Sequence, residues 1–482
     1  MRPPRERAVP GERTVSRERA VPGERAILLA VALCGILPPL NTTMIAVALP
    51  NLLRHLGAGV AGGGWLVACY LIAIAPVQPI AGKLGDRYGR RTLMLIGLAA
   101  FGVFSVGAGL APSLPVLIAL RVLQGLSGAL VFPNATGLIR ELIPDERRAK
   151  AYGLFGSVIG VSAAVGPPIG GGLTSLLGWR WIFFVNVPVT LVAAVVLVRV
   201  VRAPTPVAAR AEAPSRPSGR PSFDVAGAVA LSLLLGGAAA LALEGGQLGG
   251  ASVIAPAGVA IAVLFAVFLR RESRHPDPVF DPRLFRNRGF AAAAGGVSFG
   301  NLALYTTLLA TPLLFERTTG WSAGQIGLAL AVLSAPTALL APLGGTLADR
   351  LGRRFPATLG QAIVAVGLVP LAVWPSTSPG VVLACLAVAG VGGGLTGAAQ
   401  QAAAVEAVSA DKAGVASGIF STSRYIGGIG GTVVLAGLLN GRVGIDGFGT
   451  LFAVTAGAGL LAAVAGLWLP GRIHSRPLQS RQ

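Results

Sequence analysis

Charge is what this chain has least of. Asp, Glu, Lys and Arg together make up 12% of its 482 residues, while 53% are hydrophobic and the mean hydropathy is +0.72. That balance excludes an ordinary soluble globular protein, in which about a quarter of residues are charged. Cysteine is nearly absent as well. Cys34, Cys69 and Cys385 sit inside apolar runs with no metal-type spacing, which excludes a disulfide framework or a thiolate metal site and leaves three thiols expected to pack as small apolar groups. Histidine is equally scarce: His55, His275 and His474 fall in loops or tails. All 19 acidic residues lie near the ends of apolar runs or outside them. No nucleotide-binding loop of the G-x-x-x-x-G-K-[ST] type occurs, and there are no paired carboxylates or His and Cys clusters. An enzyme, an ATP-driven pump, a cofactor and a metal are therefore not expected.

Long apolar runs are what the chain does have. Fourteen recur, beginning near Ala26, Trp65, Thr92, Leu114, Ala151, Trp181, Asp224, Gly249, Gly289, Ser322, Phe355, Gly380, Gly414 and Asp446. Each approaches the 20 residues that cross about 30 Å of hydrocarbon as a helix. The expectation is an all-α integral membrane protein with fourteen spans. Of the 39 Lys and Arg, only Arg54, Arg180, Arg317 and Arg442 lie in odd-numbered loops, with Arg121 and Arg424 inside spans. The rest gather in the termini and even-numbered loops, which places both termini in the cytoplasm. The six tryptophans, Trp65, Trp179, Trp181, Trp321, Trp374 and Trp468, fall at run ends, where an indole keeps its ring apolar and its N–H wet. The net charge of +20 is spread over loops beside apolar spans, so anionic lipid rather than nucleic acid is the expected counter-charge.

Two loops repeat. "GKLGDRYGRR" follows the second run at residues 82 to 91, and "GTLADRLGRR" follows the tenth at residues 345 to 354, 263 positions later. Such a repeat points to two related halves. Gly82, Gly89 and Gly352 permit close approach or positive φ. Asp86 and Asp349 can pair across the cytoplasmic surface, and Arg87, Arg90, Arg350 and Arg353 can hold helix ends or lipid phosphates. Together these residues read as a latch that must separate when the inner side opens.

In these loops the chain resembles the major facilitator superfamily, whose signature between helices 2 and 3 has the form G-x-L-x-D-R-x-G-R-R. Helix 4 contributes "RVLQGLSGAL" from Arg121, helix 5 contributes "GVSAAVGPPIGGG" from Gly160, and "WRWIFFVNVP" follows from Trp179. Gly166, Pro167, Gly170 and Gly171 are similar to the helix-5 element of exporters, and with fourteen spans the likeness is to the fourteen-span drug:proton antiporter family. It implies two six-helix bundles around a central cavity with two inserted helices. The expected divisions are a cytoplasmic tail over 1–25, a first bundle over 26–202, a Pro, Ala and Arg linker over 203–222, the inserted spans over 223–270, a loop over 271–288, a second bundle over 289–470 and a tail over 471–482.

The helix-1 pattern of that family resembles L-D-x-T-I-V-N-V-A-L-P, and this chain has Asn41 where the aspartate stands. Asn41 cannot titrate. The remaining acids for proton coupling, Asp86, Glu244, Glu316, Asp349 and Glu406, all lie at membrane boundaries. Arg121 is the one charge well inside the first half, and an intramembrane arginine marks a functional position because it is costly to hold there; Arg424, nearer a cytoplasmic end, is expected to snorkel. Thr42, Gln124, Asn301, Tyr305 and Gln400 complete the candidate cavity or coupling set with Asn41 and Arg121. The expected function is a secondary active transporter in the plasma membrane, acting as a monomer and exporting small amphipathic compounds by alternating access, with protons as the candidate driving ion. A facilitative or uptake carrier and a non-transporting membrane sensor stay open as alternatives.

Overall fold

The computed structural model describes residues 24–201, 224–244, 251–276, 278–375, 378–409, 412–439 and 446–471. The tails, the 203–222 linker, Arg442 and His474 lie outside the described residues, except that Glu24 and Arg25 open the first helix. The chain is helical throughout, with no strand among the described residues. Apolar segments that must bury every backbone N–H and C=O away from water can only close those bonds on themselves. The helices are α1 (Glu24–Leu56), α2 (Val60–Tyr88), α3 (Arg90–Gly109), α4 (Leu114–Leu142) and α5 (Asp145–Leu176), then α6 (Trp181–Val200). An inserted pair follows, α7 (Val225–Glu244) and α8 (Ala251–Glu272), and then α9 (Arg288–Thr319), α10 (Ala323–Leu351), α11 (Arg354–Val373), α12 (Pro379–Glu406), α13 (Ala413–Leu439) and α14 (Asp446–Gly466). Thirteen are long and apolar enough to cross a membrane by composition alone. The fourteenth, α13, carries Ser421, Thr422, Ser423 and Arg424 and is read as a span because its contacts lie inside the bundle.

The two halves repeat one packing scheme. In the first, α1 packs on α5 and α6, α2 on α4, and α3 on α4 and α6. In the second, α9 packs on α13 and α14, α10 on α12, and α11 on α12 and α14. Adding eight to each helix number converts one set into the other. The seams between halves, α5 with α10 and α2 with α13, are interchanged by the same operation. The inserted pair lies outside this scheme: α7 packs on α2 and α13, while α8 rests on α7 and presents most of its surface outward, with only 6% of its apolar window buried.

Lipid is as apolar as leucine, so the halves are held by close backbone packing rather than by a hydrophobic drive. Glycine provides it at the α9–α13 contact, where a Cβ on Gly431 would come within 2.8 Å of the Leu302 carbonyl oxygen. The three cysteines are buried free thiols.

Candidate functional site

The surface bearing the repeated loops is called the motif face here, and the opposite surface the far face. One stripe of α5 follows the seam with α10 from face to face. Toward the far face, Gly171 leaves no room for a Cβ against the Ala323 carbonyl and Gly327 none against the Pro167 carbonyl, and a Cβ on Gly327 would stand 3.1 Å from Gly171 Cα. Three turns on, a Cβ at Gly160 would lie 3.6 Å from Ala338 Cα, and at Gly156 and Gly153 it would meet nothing within 4 Å. The second seam, α2 with α13, is closed along most of its length. Gly64 lies against Thr432 and Ala436 near the far face, Thr422 Oγ1 donates to the Ala75 carbonyl at 3.3 Å, and Gln78 Nε2 donates to Tyr425 Oη at 2.9 Å. Gly414, nearer the motif face, is open. Both seams are shut at the far face; the α5–α10 seam parts toward the motif face, while the α2–α13 seam stays in contact as far as Pro79 and Gly418. An ion pair between halves, Arg54 Nε to Glu316 Oε1 at 3.0 Å, spans the shut side.

The helix-5 glycines divide this work by face. Gly166 and Gly170 seat α5 on α1, where a Cβ would strike the Thr43 hydroxyl or approach Met44 Cα at 2.7 Å, while Gly171 meets the other half. Pro167 and Pro168 lie within the continuous helix, and the Pro167 carbonyl is itself the surface that Gly327 touches.

The repeated loops build matching ion clusters, one in each half. Gly89 and Gly352 take φ of 92° and 88°, a backbone that favours glycine, and turn the chain between helices; at Gly82 a Cβ would make only an ordinary contact with Pro133, at 3.7 Å. Arg90 then pairs with Asp86 and reaches Glu141 at 3.5 Å, passing over Gly137, where any side chain would overlap the guanidinium. Arg353 pairs with Asp349 at 2.5 Å and Glu406 at 2.7 Å. Hydrogen bonds to Glu406, opposed by burial and reinforced by Asp349, push the Arg353 guanidinium above its ordinary value. In this state, open to the motif face, the described ion pairs of Asp86 and Asp349 close within each half, through Arg90 and Arg353 just across the glycine turns. Arg87 and Arg350 stand exposed on the last turns of α2 and α10.

Arg121 is fully buried in the first half. It donates through Nη1 to Asn41 Oδ1 and, at 3.0 Å, to Gln124 Oε1, and through Nε to the Leu66 carbonyl at 3.3 Å. Its guanidinium lies 4.0 Å from the centre of the Tyr70 ring. Gln124 passes the chain on to Ser105 at 2.8 Å. Asn41, Arg121 and Gln124 are thus one network, whereas Thr42 bonds its own helix at the Pro38 carbonyl and meets Tyr305 of α9 across the halves. Asn301 is half-buried and bonds the Val297 carbonyl of its own helix. Gln400 does not line the open space: it is buried against Gly296, while its neighbour Gln401 is exposed. Arg424 is half-buried with its guanidinium 5.6 Å from the Phe420 ring centre. The boundary acids all have partners, Glu244 accepting from Trp65 Nε1 at 3.1 Å.

Comparison with known proteins agrees with this architecture. The chain matches the Major Facilitator Superfamily over residues 31–306 and again over 290–482. The chain belongs to the major facilitator superfamily. Among its relatives in that superfamily, an uncharacterized MFS-type transporter, YvkA, of Bacillus subtilis is 34% identical over 89% of this chain and 93% of its own length. The tetracenomycin C resistance and export protein of Streptomyces glaucescens is 34% identical over 86% and 76%, and the multidrug resistance protein Stp of Mycobacterium tuberculosis 33% over 83% and 73%. In fold it is similar to a D-xylose-proton symporter, with a TM-score of 0.66 at 15% identity over 92% of this chain and 98% of that one. A bacterial homologue of the lysosomal transporter Spinster gives 0.62 at 19%, over 93% and 96%.

As a member of the superfamily the chain is a multi-pass membrane transporter, and three features of its site are not singled out by the sequence patterns. Tyr70 gives no signal beyond being an aromatic in an apolar run. Glu141 does: it sits near the end of α4, 265 residues before the boundary acid Glu406 near the end of α12, close to the offset of the loops. A third group lies on the motif face of the inserted pair. Arg271 holds the buried Asp224 carboxylate at 2.6 and 2.8 Å and the buried Glu272 at 3.0 Å, and Glu272 accepts from the Phe280 N–H at 2.9 Å. Burial raises the Asp224 carboxyl, but the hydrogen bonds from Arg271 and from the Gly227 N–H outweigh it and hold that group well below its ordinary value.

Proposed function

We propose that the chain is an exporter of small organic compounds that works by alternating access, with the motif face in the cytoplasm, both termini on that side and the protein in the plasma membrane. The observation that carries this reading is the divergence of the α5–α10 stripe, tight at Gly171 and open at Gly153. Together with the Arg54–Glu316 bridge, it describes a carrier open to the motif face and shut behind. A compound entering there meets Tyr305, Tyr425, Asn301 and Gln401, a lining of uncharged polar groups. Helix packing by glycine lets the halves rock without leaving cavities. The excess of arginine in the motif-face loops supports the orientation, and relatives named for antibiotic or multidrug resistance support export.

Asn41 cannot carry a proton. A proton-driven cycle would therefore run through the boundary acids, or through a substrate that itself gains and loses a proton. An uncoupled carrier is the second reading, favoured by the same residue. The test is transport of neutral, cationic and anionic dyes in proteoliposomes of known orientation, with and without an imposed pH gradient. Export from the motif-face side that collapses with the gradient supports a coupled exporter, and export indifferent to the gradient supports the uncoupled carrier. Absence of any protein-dependent movement would refute both.

A further inference from the structure

Arg121 is a completely buried cation whose described partners are all uncharged: an amide oxygen of Asn41, another of Gln124, the Leu66 carbonyl and the face of Tyr70. Holding a guanidinium away from water is expensive unless charge of the opposite sign is supplied. The acids that could supply it stand at membrane boundaries, each already engaged: Asp86 with Arg90, Glu316 with Arg54, Glu244 with Trp65, Asp349 and Glu406 with Arg353.

The cluster also has donors to spare. Arg121 Nη2, Asn41 Nδ2 and Tyr70 Oη are buried with no hydrogen-bond partner, on residues that are at most 1% exposed. Because the Asn41 oxygen faces the guanidinium, its NH2 group is turned outward as a donor, and the orientation with nitrogen toward Arg121 would set donor against donor. A guanidinium N–H, an amide N–H and a phenol O–H left unsatisfied in one dry cluster call for an acceptor bearing negative charge. Tyr305 of α9, only partly buried, stands across the halves from this cluster.

We infer that Arg121 Nη2 and Asn41 Nδ2 form a binding site for one monovalent anion, either the acid group of a transported compound or a small inorganic anion such as chloride. The asparagine makes the site: an aspartate there would neutralise Arg121 from within and leave no charge for a ligand to supply. The inference deepens the export reading where the ligand is a substrate acid, and stands apart from it where the ligand is chloride.

The test is thermal unfolding of the full chain in lipid nanodiscs, titrated with chloride or benzoate, with sulfate at matched ionic strength as the reference. A ligand that binds only the folded state raises the melting temperature in a saturable manner. The parent should respond to one of the two anions, and Asn41→Asp and Arg121→Gln should lose at least tenfold in apparent affinity. Asn41→Asp should melt no lower than the anion-free parent, which separates loss of the site from loss of the fold. A response to benzoate assigns the site to organic acids and predicts that benzoate competes with export of an acidic dye; a response to chloride alone assigns it to the inorganic ion. Equal responses in the parent and Asn41→Asp, or none in the parent, would overturn the inference. Dye export without anion binding removes the site and keeps the exporter, while anion binding without movement of any dye does the reverse.

Discussion

Adding one methyl group at Gly171 should trap the transporter open to the far face. In the described state a Cβ at this position overlaps the Ala323 carbonyl of α10 and approaches Gly327 Cα at 3.1 Å, and both obstacles are backbone, which cannot rotate aside. Overpacking of this kind costs about 1–3 kcal/mol. The cost falls only on the state in which α5 and α10 touch, since in the opposite state the helices have parted. The ratio of the two states should therefore move by roughly 5- to 150-fold. The adjacent Gly172 is the control: a Cβ there meets nothing within 4 Å, yet Ala at either position has the same helix propensity. Spin labels on cysteines introduced at Leu176 and Arg317, both exposed at the far face, report the distance between halves, and the three native cysteines are buried. Gly171→Ala should lengthen that distance and slow dye export, whereas Gly172→Ala should change neither. If both variants matched the parent in distance and rate, the seam would not be the gate.

Other perturbations follow from the same contacts. Arg90→Ala should reduce export more than Asp86→Asn, because it leaves Asp86 and Glu141 as two carboxylates without their shared cation; equal rates in the two variants would argue against a shared cluster. Arg121→Ala should abolish transport while the protein still reaches the membrane, and Arg121→Lys should keep part of it, losing the planar fork but not the charge; normal transport by the alanine variant would make the arginine structural. Glu316→Gln should shift the balance of states by about fivefold at most, since an exposed ion pair contributes about 0.2–1 kcal/mol and Arg54 is 69% exposed; a larger shift in the label distances would mean the bridge is more than a surface pair. The Asp224 carboxyl is held below its unfolded value of about 3.9, so its stabilising contribution is complete above that pH and is lost only as pH falls through the lower, folded value. Asp224→Asn should therefore lower the melting temperature at pH 7, where Arg271 loses its buried carboxylate partner, and a variant that melted with the parent there would contradict the assignment.

The sequence by itself determined the class of this protein, because the physics of the bilayer leaves few choices: apolar runs of span length must be helices. The repeated loops also disclose the two halves, since Gly89 and Gly352 occupy turns whose positive φ favours glycine. Asn41 and Arg121 were legible as misfits in apolar surroundings. Their direct contact was not, for it joins residues 80 apart and depends on how α1, α2 and α4 are rotated about their axes, which the near-uniform apolar faces of these helices leave unspecified. Gln400 and Gln401 make the same point: one residue apart, they are polar alike in sequence, yet a turn of about 100° between neighbours buries the first against Gly296 and exposes the second. Which face was open could not be read from composition either, since both seams use the same glycines in either state. Only the divergence of α5 from α10 along one stripe, from Gly171 to Gly153, decided it, because small residues permit a close approach without requiring one.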